Sequence, residues 1–501
     1  MDTLLAPLLN RYSMYKVISG ALTILFVISL LLSLTGTLSY SPLAMLASAT
    51  VLGASVLLTS LLFGLIFGVR VHMESSFITA IILFFIFTPT LQLPGLLTLA
   101  LVGMIAGASK FILVYNGRHM FNAVAISAFI IGLTGLAHAS WWVGSPVLII
   151  PTLILGYAIL LKTRRVLMSG IFAAMATALV ILTLLFGGET LGNSVVLWLS
   201  YPIIFFACFM LTEPLTLPRK EWHRIIEVVI VAILFVVPIS IGTITTSPEL
   251  ALLAGNVVAF AFTRQQKISL KFLERKQLTP TSYEFVFTPQ KPQQFEAGQY
   301  IGISLPHKNN DLRGIRRSFS ITSAPGEKTI RLGIKFYEPS SSFKKALREL
   351  KKDTFIHATG ISGDFTLPKN TQTPLLFVAG GIGITPFISI LQMLKQRGEI
   401  RDIVLLYAIS SIDELAYKDI LEESGVKVCV VTSSKVLLIL PAGWTHSNES
   451  VITKETIASY VTDVARRTAY VSGPPALVDG VKRHLKQLNV RHIRTDYFIG
   501  Y

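Results

Sequence analysis

Arg317-Ser318-Phe319-Ser320 and, sixty residues on, Gly380-Gly381-Ile382-Gly383-Ile384-Thr385-Pro386 decide the fold of the C-terminal half of this chain. The first stretch suits a flavin: an arginine for a diphosphate, an aromatic ring beside the isoalloxazine, and a hydroxyl for its N5 edge. The second follows an apolar run, Leu375 to Val378, and precedes a helix-patterned stretch from Phe387 to Lys395. A glycine-rich turn between strand and helix lets backbone N–H groups approach a diphosphate at the positive end of the helix. Either stretch alone is compatible with an ordinary turn. In this order and at this spacing they indicate a flavoprotein reductase.

Three further motifs keep the same order. Gly360-Ile-Ser-Gly363-Asp364-Phe365 precedes the glycine turn, while Tyr470-Val-Ser472-Gly473-Pro474-Pro475 and Asp496-Tyr497-Phe498 follow it. Together the five resemble the ferredoxin–NADP reductase superfamily over about residues 265–501. The resemblance implies an antiparallel β-barrel for FAD at 264–369 and a doubly wound α/β domain for NAD(P)H at 370–501. It assigns Arg317, Ser318, Phe319, Ser320, Ser341 and Ser342 to FAD. Gly380, Gly381, Gly383, Thr385, Pro386, Gly473 and Pro474 go to the nucleotide. Ser320, Thr385 and Ser472 would orient the two rings, Asp496 would bond at the reacting edge, and Phe498 or Tyr501 would cover the flavin. Ser472 stands where the family often has Cys. Ser411 and Asp413, after the next strand-like run, favour NADH over NADPH, because relatives selective for NADPH often place an arginine near there.

Residues 1–263 read differently. The chain is 52% hydrophobic and only 14% charged, and most of that bias lies in this half. Ten apolar stretches approach the length of about 20 residues that a helix needs to cross a bilayer. They lie near 14–36, 44–69, 76–90, 95–115, 122–137, 146–162, 168–187, 194–212, 225–245 and 248–263. Pro89, Pro94, Pro151 and Pro202 interrupt several, a pattern expected of helices shielded by neighbours around an internal site.

With ten spans, every Lys and Arg before residue 264 falls at the N-terminus, after an even-numbered span, or near those ends. The alternate loops hold Glu189 and Glu249 but no Lys or Arg. That asymmetry places the N-terminus and the reductase half in the cytoplasm, with a bacterial inner membrane as the expected location. The first apolar run, Val17 to Leu34, is too long for a usual signal-peptide core and is read as the first membrane helix. The net charge of +16 is then accounted for by topology and by attraction to anionic headgroups, and nucleic acid is not an expected partner.

Two segments of this half carry polar groups at membrane depth. Asn116-Gly117-Arg118-His119-Met120-Phe121-Asn122 ends the fourth span, and Phe209-Met-Leu-Thr212-Glu213-Pro-Leu-Thr-Leu-Pro218 ends the eighth. They resemble signatures of the ten-helix flavin-binding membrane subunits of the sodium-translocating NADH:quinone reductase and of the Rnf complex. Ala123 and Glu213 depart from that pattern, which has Pro and Asp. The resemblance implies a second flavin, FMN or riboflavin, held by Arg118, His119, Asn122, Thr212 and Glu213. The loop Gly187-Gly-Glu-Thr190-Leu-Gly192 lacks the family's attachment sequence, so a non-covalent flavin is expected. The plainer readings stay open: Arg118 and His119 as interfacial anchors, Asn122 as a helix cap, and Glu213 as a partner of Arg219 or Lys220.

Two cysteines, Cys208 and Cys429, are too few for an iron–sulfur cluster and read as small core residues, and no metal site is expected. The expected architecture is a ten-helix membrane domain, a flavin barrel and a nucleotide domain. The expected function is transfer of electrons from NAD(P)H through FAD to a membrane flavin and on to an extracytoplasmic acceptor. Quinone reduction within the bilayer and redox-driven Na+ or H+ transport are the alternatives.

Overall fold

The computed structural model describes residues 12–68, 71–115, 118–163, 165–213, 218, 221–242, 244–262, 268–307, 311, 315–433 and 440–498. The side chain of Arg118, residues 214–217, Arg219, Lys220 and Tyr501 lie outside the described residues. The chain divides into a unit of residues 1–265 and a second of residues 266–501.

The first unit is helical. Its elements are α1 Met14–Leu34, α2 Pro42–Ile66, α3 Met73–Ile86, α4 Leu93–Ile112, a hairpin β1 Val114–Tyr115 and β2 Arg118–His119, and α5 Ala123–Thr134. Then come α6 Ile149–Thr163, α7 Val166–Phe186, α8 Leu191–Trp198 and α9 Ile203–Phe205, which runs on as a π-helical turn, Phe206–Met210. Helix α10 Glu221–Val236, a hairpin β3 Ser240–Ile241 and β4 Ile244–Thr245, and α11 Pro248–Phe262 complete it.

Each of the ten apolar stretches falls on a helix or helix pair, but not all at spanning length. Among the described residues five helices are long and apolar enough to cross a membrane, and six if the bent pair α8–α9 is one span. Helices α3, α5 and α11 have 14, 12 and 15 residues.

The shortfalls have local causes. The stretch 76–90 stops at Ile86, because Pro89 keeps the residue before it out of helical φ/ψ. The loop Ser140–Trp142 satisfies that helix end: the N–H groups of Ser140 and Trp141 donate to Ile86 O, and Trp142 Nε1 donates to Phe84 O at 2.7 Å. Helix α5 stops at Gly135, whose φ of +70° is the left-handed cap that glycine adopts freely. The stretch 194–212 bends by 49° between α8 and α9, where Pro202 offers no N–H.

The second unit begins with strands β5 Ile268–Thr279, β6 Ser282–Pro289, β7 Tyr300–Ser304, β8 Arg316–Ser320 and β9 Ile330–Lys335, helix α12 Ser342–Arg348, and strand β10 Phe355–Ser362. They form an antiparallel sheet in the order β8-β7-β10-β5-β6-β9. A bridge between Ile321 and Leu332 brings its two edges together, so the sheet curls around Leu270, Phe285, Phe287, Ile301 and Leu332.

A parallel sheet follows in the order β14-β13-β12-β11-β15-β16. Its strands are β11 Leu375–Gly380, β12 Ile403–Ala408, β13 Lys427–Val431, β14 Thr445–Ser447, β15 Thr468–Gly473 and β16 Ile493–Tyr497. The helices between them are α13 Thr385–Arg397, α14 Lys418–Glu423, α15 Lys454–Tyr460 and α16 Pro475–Gln487. Alternate residues of β11 serve opposite faces. Leu375, Phe377 and Ala379 pack with α13, whereas Leu376 and Val378 pack with Val478, Val481 and Leu485 of α16. Strand order reverses between β11 and β15, and the crevice at their carboxyl ends is where such sheets bind ligands.

Candidate functional site

The glycine turn lies at that crevice. Strand β11 ends at Gly380, a 3-10 turn covers Gly381–Ile384, and α13 starts at Thr385 with Pro386 in its first turn. Gly381 has φ +51°, and a Cβ built on it would face open space. A Cβ on Gly383 would lie 2.5 Å from Ser472 O and 2.7 Å from Gly473 Cα. One on Gly380 would lie 3.1 Å from Pro474 Cδ. The turn is therefore pressed against the end of β15 and open on its outer side, a cradle that only glycine provides. Thr385 is buried and its hydroxyl donates to Ile382 O at 3.0 Å. Ser472 is fully buried, and its hydroxyl has no partner among the described residues.

Ser320 closes β8, and its hydroxyl donates to Asp496 Oδ2 at 3.2 Å. Asp496 pairs in register with Ser472 across β15 and β16. Ser320, Ser472 and Asp496, from three separate motifs, thus gather at the end of the parallel sheet. Phe498 follows directly, and its N–H donates to Gly473 O at 2.8 Å.

The other flavin-assigned residues lie along β8 and at α12. The guanidinium of Arg317 sits 5.3 Å from the centre of the Phe343 ring and 3.3 Å from Asp311 Oδ1. Ser318 neighbours it on β8, and Phe319 packs against Phe343. Asp311 Oδ2 accepts from the N–H of Ser342 at 3.3 Å, and Ser341 caps α12 through Lys344 N–H. That helix spans Ser342–Arg348, with Lys345 and Arg348 in its last turn. Asp311 escaped the sequence reading, although an acidic residue six positions before Arg317 was a visible signal. Its carboxylate bridges the Arg317 guanidinium and the Ser342 N–H.

A second group missed in the sequence joins the barrel to the parallel sheet. Glu284 Oε1 accepts from Thr322 at 2.9 Å and from the Tyr417 hydroxyl at 3.2 Å. Glu414 accepts from Lys335 and Thr281, each at 2.8 Å. Tyr417 has φ +60°, a left-handed conformation that costs a bulky residue about 1–3 kcal/mol. Burial, and then the neighbouring Glu284, push its hydroxyl pKa well above the usual value, so it stays a donor. A Cβ on Gly333 would meet Tyr417 Oη at 2.5 Å and Thr385 Cγ2 at 2.6 Å, so Tyr417 and Thr385 share one contact point on β9. Tyr417→Phe is expected to slow flavin bleaching by NADH about tenfold with FAD content unchanged, one hydrogen bond to a carboxylate being lost. Stopped-flow absorbance with a flavin assay measures both, and an unaltered rate would remove Tyr417 from the positioning of Thr385.

Residues 377–483 match the oxidoreductase NAD-binding domain family. The C-terminal half is therefore similar, over that span, to the NAD-binding domain of flavoprotein oxidoreductases. The chain is 25% identical to the NADH oxidoreductase HCR of Escherichia coli over 205 residues, 41% of this chain and 59% of that protein. It is 27% identical over 240 residues to the phenol hydroxylase P5 protein of Acinetobacter pittii, covering 46% and 64%. To the ferredoxin–NADP reductase B of Sorangium cellulosum it is 31% identical over 129 residues, covering 26% and 51%. The chain thus spans less than two thirds of the length of these curated relatives. The open Gly381 corner, the partnerless Ser472 hydroxyl, and Arg317 beside Ser342 fit a dinucleotide and a flavin in the reductase unit.

In the helical unit, the two polar segments converge. His119, Asn122, Thr212 and Glu213 line one recess with Lys110 and Ser75, with about 740 Å3 of empty space, mouth included. Asn122 is its keystone. Its Oδ1 accepts from Val124 and Ala125 N–H and so caps α5, its Nδ2 donates to Glu213 Oε2 at 2.7 Å, and its backbone N–H donates to Asn256 Oδ1 at 2.8 Å. Asn122 is therefore a helix cap whose amide also meets Glu213 in the recess. Lys110 Nζ donates to Ser75 O and Oγ at 3.0 and 3.2 Å, and Arg165 donates to Thr212 O. Lys110, on α4 just before the first motif, and Ser75, on α3, were missed because neither belongs to either motif.

Thr190, at the loop where a covalent flavin was weighed, is the N-cap of α8. Cys208 and Cys429 are free and buried, and no group of metal ligands forms among the described residues.

Proposed function

We propose that this chain is a membrane-bound NAD(P)H oxidoreductase that passes electrons from the reductase unit to a carrier in the helical unit and on to an extracytoplasmic acceptor. The observation that carries the first half is the Ser320–Asp496 hydrogen bond, formed in register with Ser472 beside the glycine turn. Those groups meet where a nicotinamide and a flavin would have to face each other.

FAD, when bound, supplies the conversion of a two-electron hydride into single electrons. The chain's own residues do the positioning. Gly380, Gly381, Gly383 and Pro474 admit the nucleotide diphosphate, and Thr385 and Ser472 bracket the nicotinamide. Arg317 and Ser342 hold the flavin diphosphate once Asp311 yields its place. Phe498 covers the ring until nicotinamide displaces it.

In the helical unit, ten membrane segments with cytoplasmic N-terminus and reductase unit fit the distribution of Lys and Arg. The short helices α3, α5 and α11 then line protein rather than lipid along their missing turns. The recess of Lys110, His119, Asn122, Thr212 and Glu213 supplies donors and acceptors at one depth for a non-covalent FMN or riboflavin. Ionisable groups at that depth are functional candidates by default.

A flavin count on purified protein tests the whole reading. Two flavins per chain, both bleached by NADH, is the expected result. FAD alone would move the acceptor to a quinone at the membrane interface, and no FAD would end the reading. Ser411 and Asp413 follow β12 directly, and Asp413 would repel a 2′-phosphate. The kcat/KM for NADH is therefore expected to exceed that for NADPH by at least about tenfold, and parity in steady-state assays would reverse the assignment.

A further inference from the structure

One end of the flavin barrel opens into a cavity of about 160 Å3 lined by Arg275, Tyr283, Phe285, Phe336 and Arg348. We propose that this mouth binds a small organic anion, with its phosphate or carboxylate between Arg275 and Arg348 and its apolar body against the aromatic wall. Barrel mouths are common ligand sites, and this one does not depend on the electron path proposed above.

A bulge builds the site. Residues directly opposite on β5 and β6 share one face of the sheet, and Phe272 pairs in this way with Phe287. Phe285, two residues before Phe287 on β6, lies on that same core-facing side. A regular β5 would set Glu274 against it. The register instead shifts between Phe272 and Glu274, so that Glu274 pairs with Val286 and Arg275 with Phe285. Bulges at barrel rims re-aim side chains in this manner. An arginine therefore stands on the core-facing side, where an apolar residue is the rule. Glu274 and Lys276, on the opposite face, pair with each other at 3.2 Å.

The second arginine comes from α12. Arg348, in the last turn of that helix, lays its guanidinium 4.6 Å from the centre of the Phe336 ring. Arg275 Nη1 donates to the backbone carbonyl of Arg348. That bond occupies one of the carbonyls left open at the helix end, which covers the negative end of the helix where an anion would sit. It also holds two guanidiniums at one opening. Among the described residues Arg275 makes no ion pair, and Arg348 has only Glu338, at 3.7 Å with its side chain 74% exposed. A pair that exposed is worth little. Two planar forks of like charge, with no closely held acid between them, suit a phosphate or carboxylate that both can grip.

The wall adds selectivity for an apolar body. Phe285 and Phe336 are buried, and Tyr283 meets Phe336 edge-on with ring centres 5.6 Å apart. A water needs about 10–15 Å3 of such a cavity, so the mouth has room for on the order of ten waters. That is space for one ring with its anionic group, not for a dinucleotide. The mouth is also distinct from the flavin site, because Ser341 and Ser342 open α12 and Arg348 ends it.

The test is calorimetric titration of the full chain in nanodiscs of neutral lipid, with FAD and NAD+ in excess and phenyl phosphate as the probe. Saturable binding is expected, with Kd raised about tenfold or more in Arg275→Gln and in Arg348→Gln, the value of one charge-assisted hydrogen bond. Arg348→Gln keeps the carbonyl that Arg275 uses, so the helix end stays satisfied in that variant. Lys276→Gln makes the same charge change on the opposite face and is expected to leave Kd within about twofold. Inorganic phosphate is expected to bind at least about fivefold more weakly, because it leaves the aromatic wall uncovered. Dihexanoyl phosphatidylglycerol separates the sources of the anion. Binding tighter than phenyl phosphate that falls in both arginine variants assigns the mouth to a lipid headgroup, and weaker binding assigns it to a soluble anion. The site is overturned by no saturable binding, by indifference to both arginines, by an equal loss in Lys276→Gln, or by inorganic phosphate binding as tightly as phenyl phosphate.

Discussion

Asp496→Ala lowers the rate of flavin bleaching by NADH about a hundredfold or more while leaving FAD bound. The carboxylate of Asp496 accepts from the Ser320 hydroxyl and lies in register with Ser472. With the two rings placed as proposed, removing it would free Ser320 to turn away from the flavin edge and take a fixed negative group from the site of hydride transfer. A preorganised hydrogen-bonding group at a reacting centre is worth about 10²–10³ in rate. Ser320→Ala alone is expected to cost a similar factor, and the double variant little more, because the two act as one unit. Single-turnover absorbance at saturating NADH gives the rate, and equilibrium titration gives the NADH Kd. A fall of less than threefold, or two additive losses, would reduce the Ser320–Asp496 bond to a tether for the C-terminal strand.

Much of the reductase unit was legible because its motifs are local. The Gly380–Pro386 turn requires glycine at a corner with positive φ and at two close backbone approaches, and those needs show in sequence. Ser472 and Asp496 were named through the resemblance of their motifs, and β15 and β16 bring them into register beside that turn. Asp311, Glu284 and Tyr417 were not. Their roles come from pairing across the barrel, where Glu284 on β6 meets Thr322 and Tyr417 from distant stretches, and no local pattern records such a meeting.

In the helical unit the apolar stretches were legible but their helical lengths were not. Hydropathy counts apolar residues without regard to whether the backbone among them is helical. Near Thr88–Pro89 and Leu199–Pro202 it is not. Those interruptions place the Trp142–Gly144 turn against the end of α3 and against the bend at Pro202, so the residues that blurred the span count are the ones that build internal surfaces.

Asn122→Ala tests whether the recess is a built site or a chance gathering of polar groups. Asn122 is 5% exposed and makes four hydrogen bonds with different consequences. Two from Val124 and Ala125 N–H cap α5, and losing a cap of this kind costs about 1 kcal/mol. The bond from Nδ2 to the Glu213 carboxylate is worth about 1.5–3 kcal/mol. The backbone bond to Asn256 survives, so α11 keeps its register against α5. The expected loss is about 3 kcal/mol, read as earlier thermal unfolding of the helical unit in detergent, with reductase-unit FAD bleaching unchanged. Asn122→Asp separates the two roles: it keeps the cap acceptor but replaces the donor to Glu213 with a second carboxylate. If the recess holds a flavin, both variants lose the second chromophore, and Asn122→Asp loses it although α5 remains capped. If Asn122 is a cap and nothing more, Asn122→Asp retains the chromophore and most of the stability.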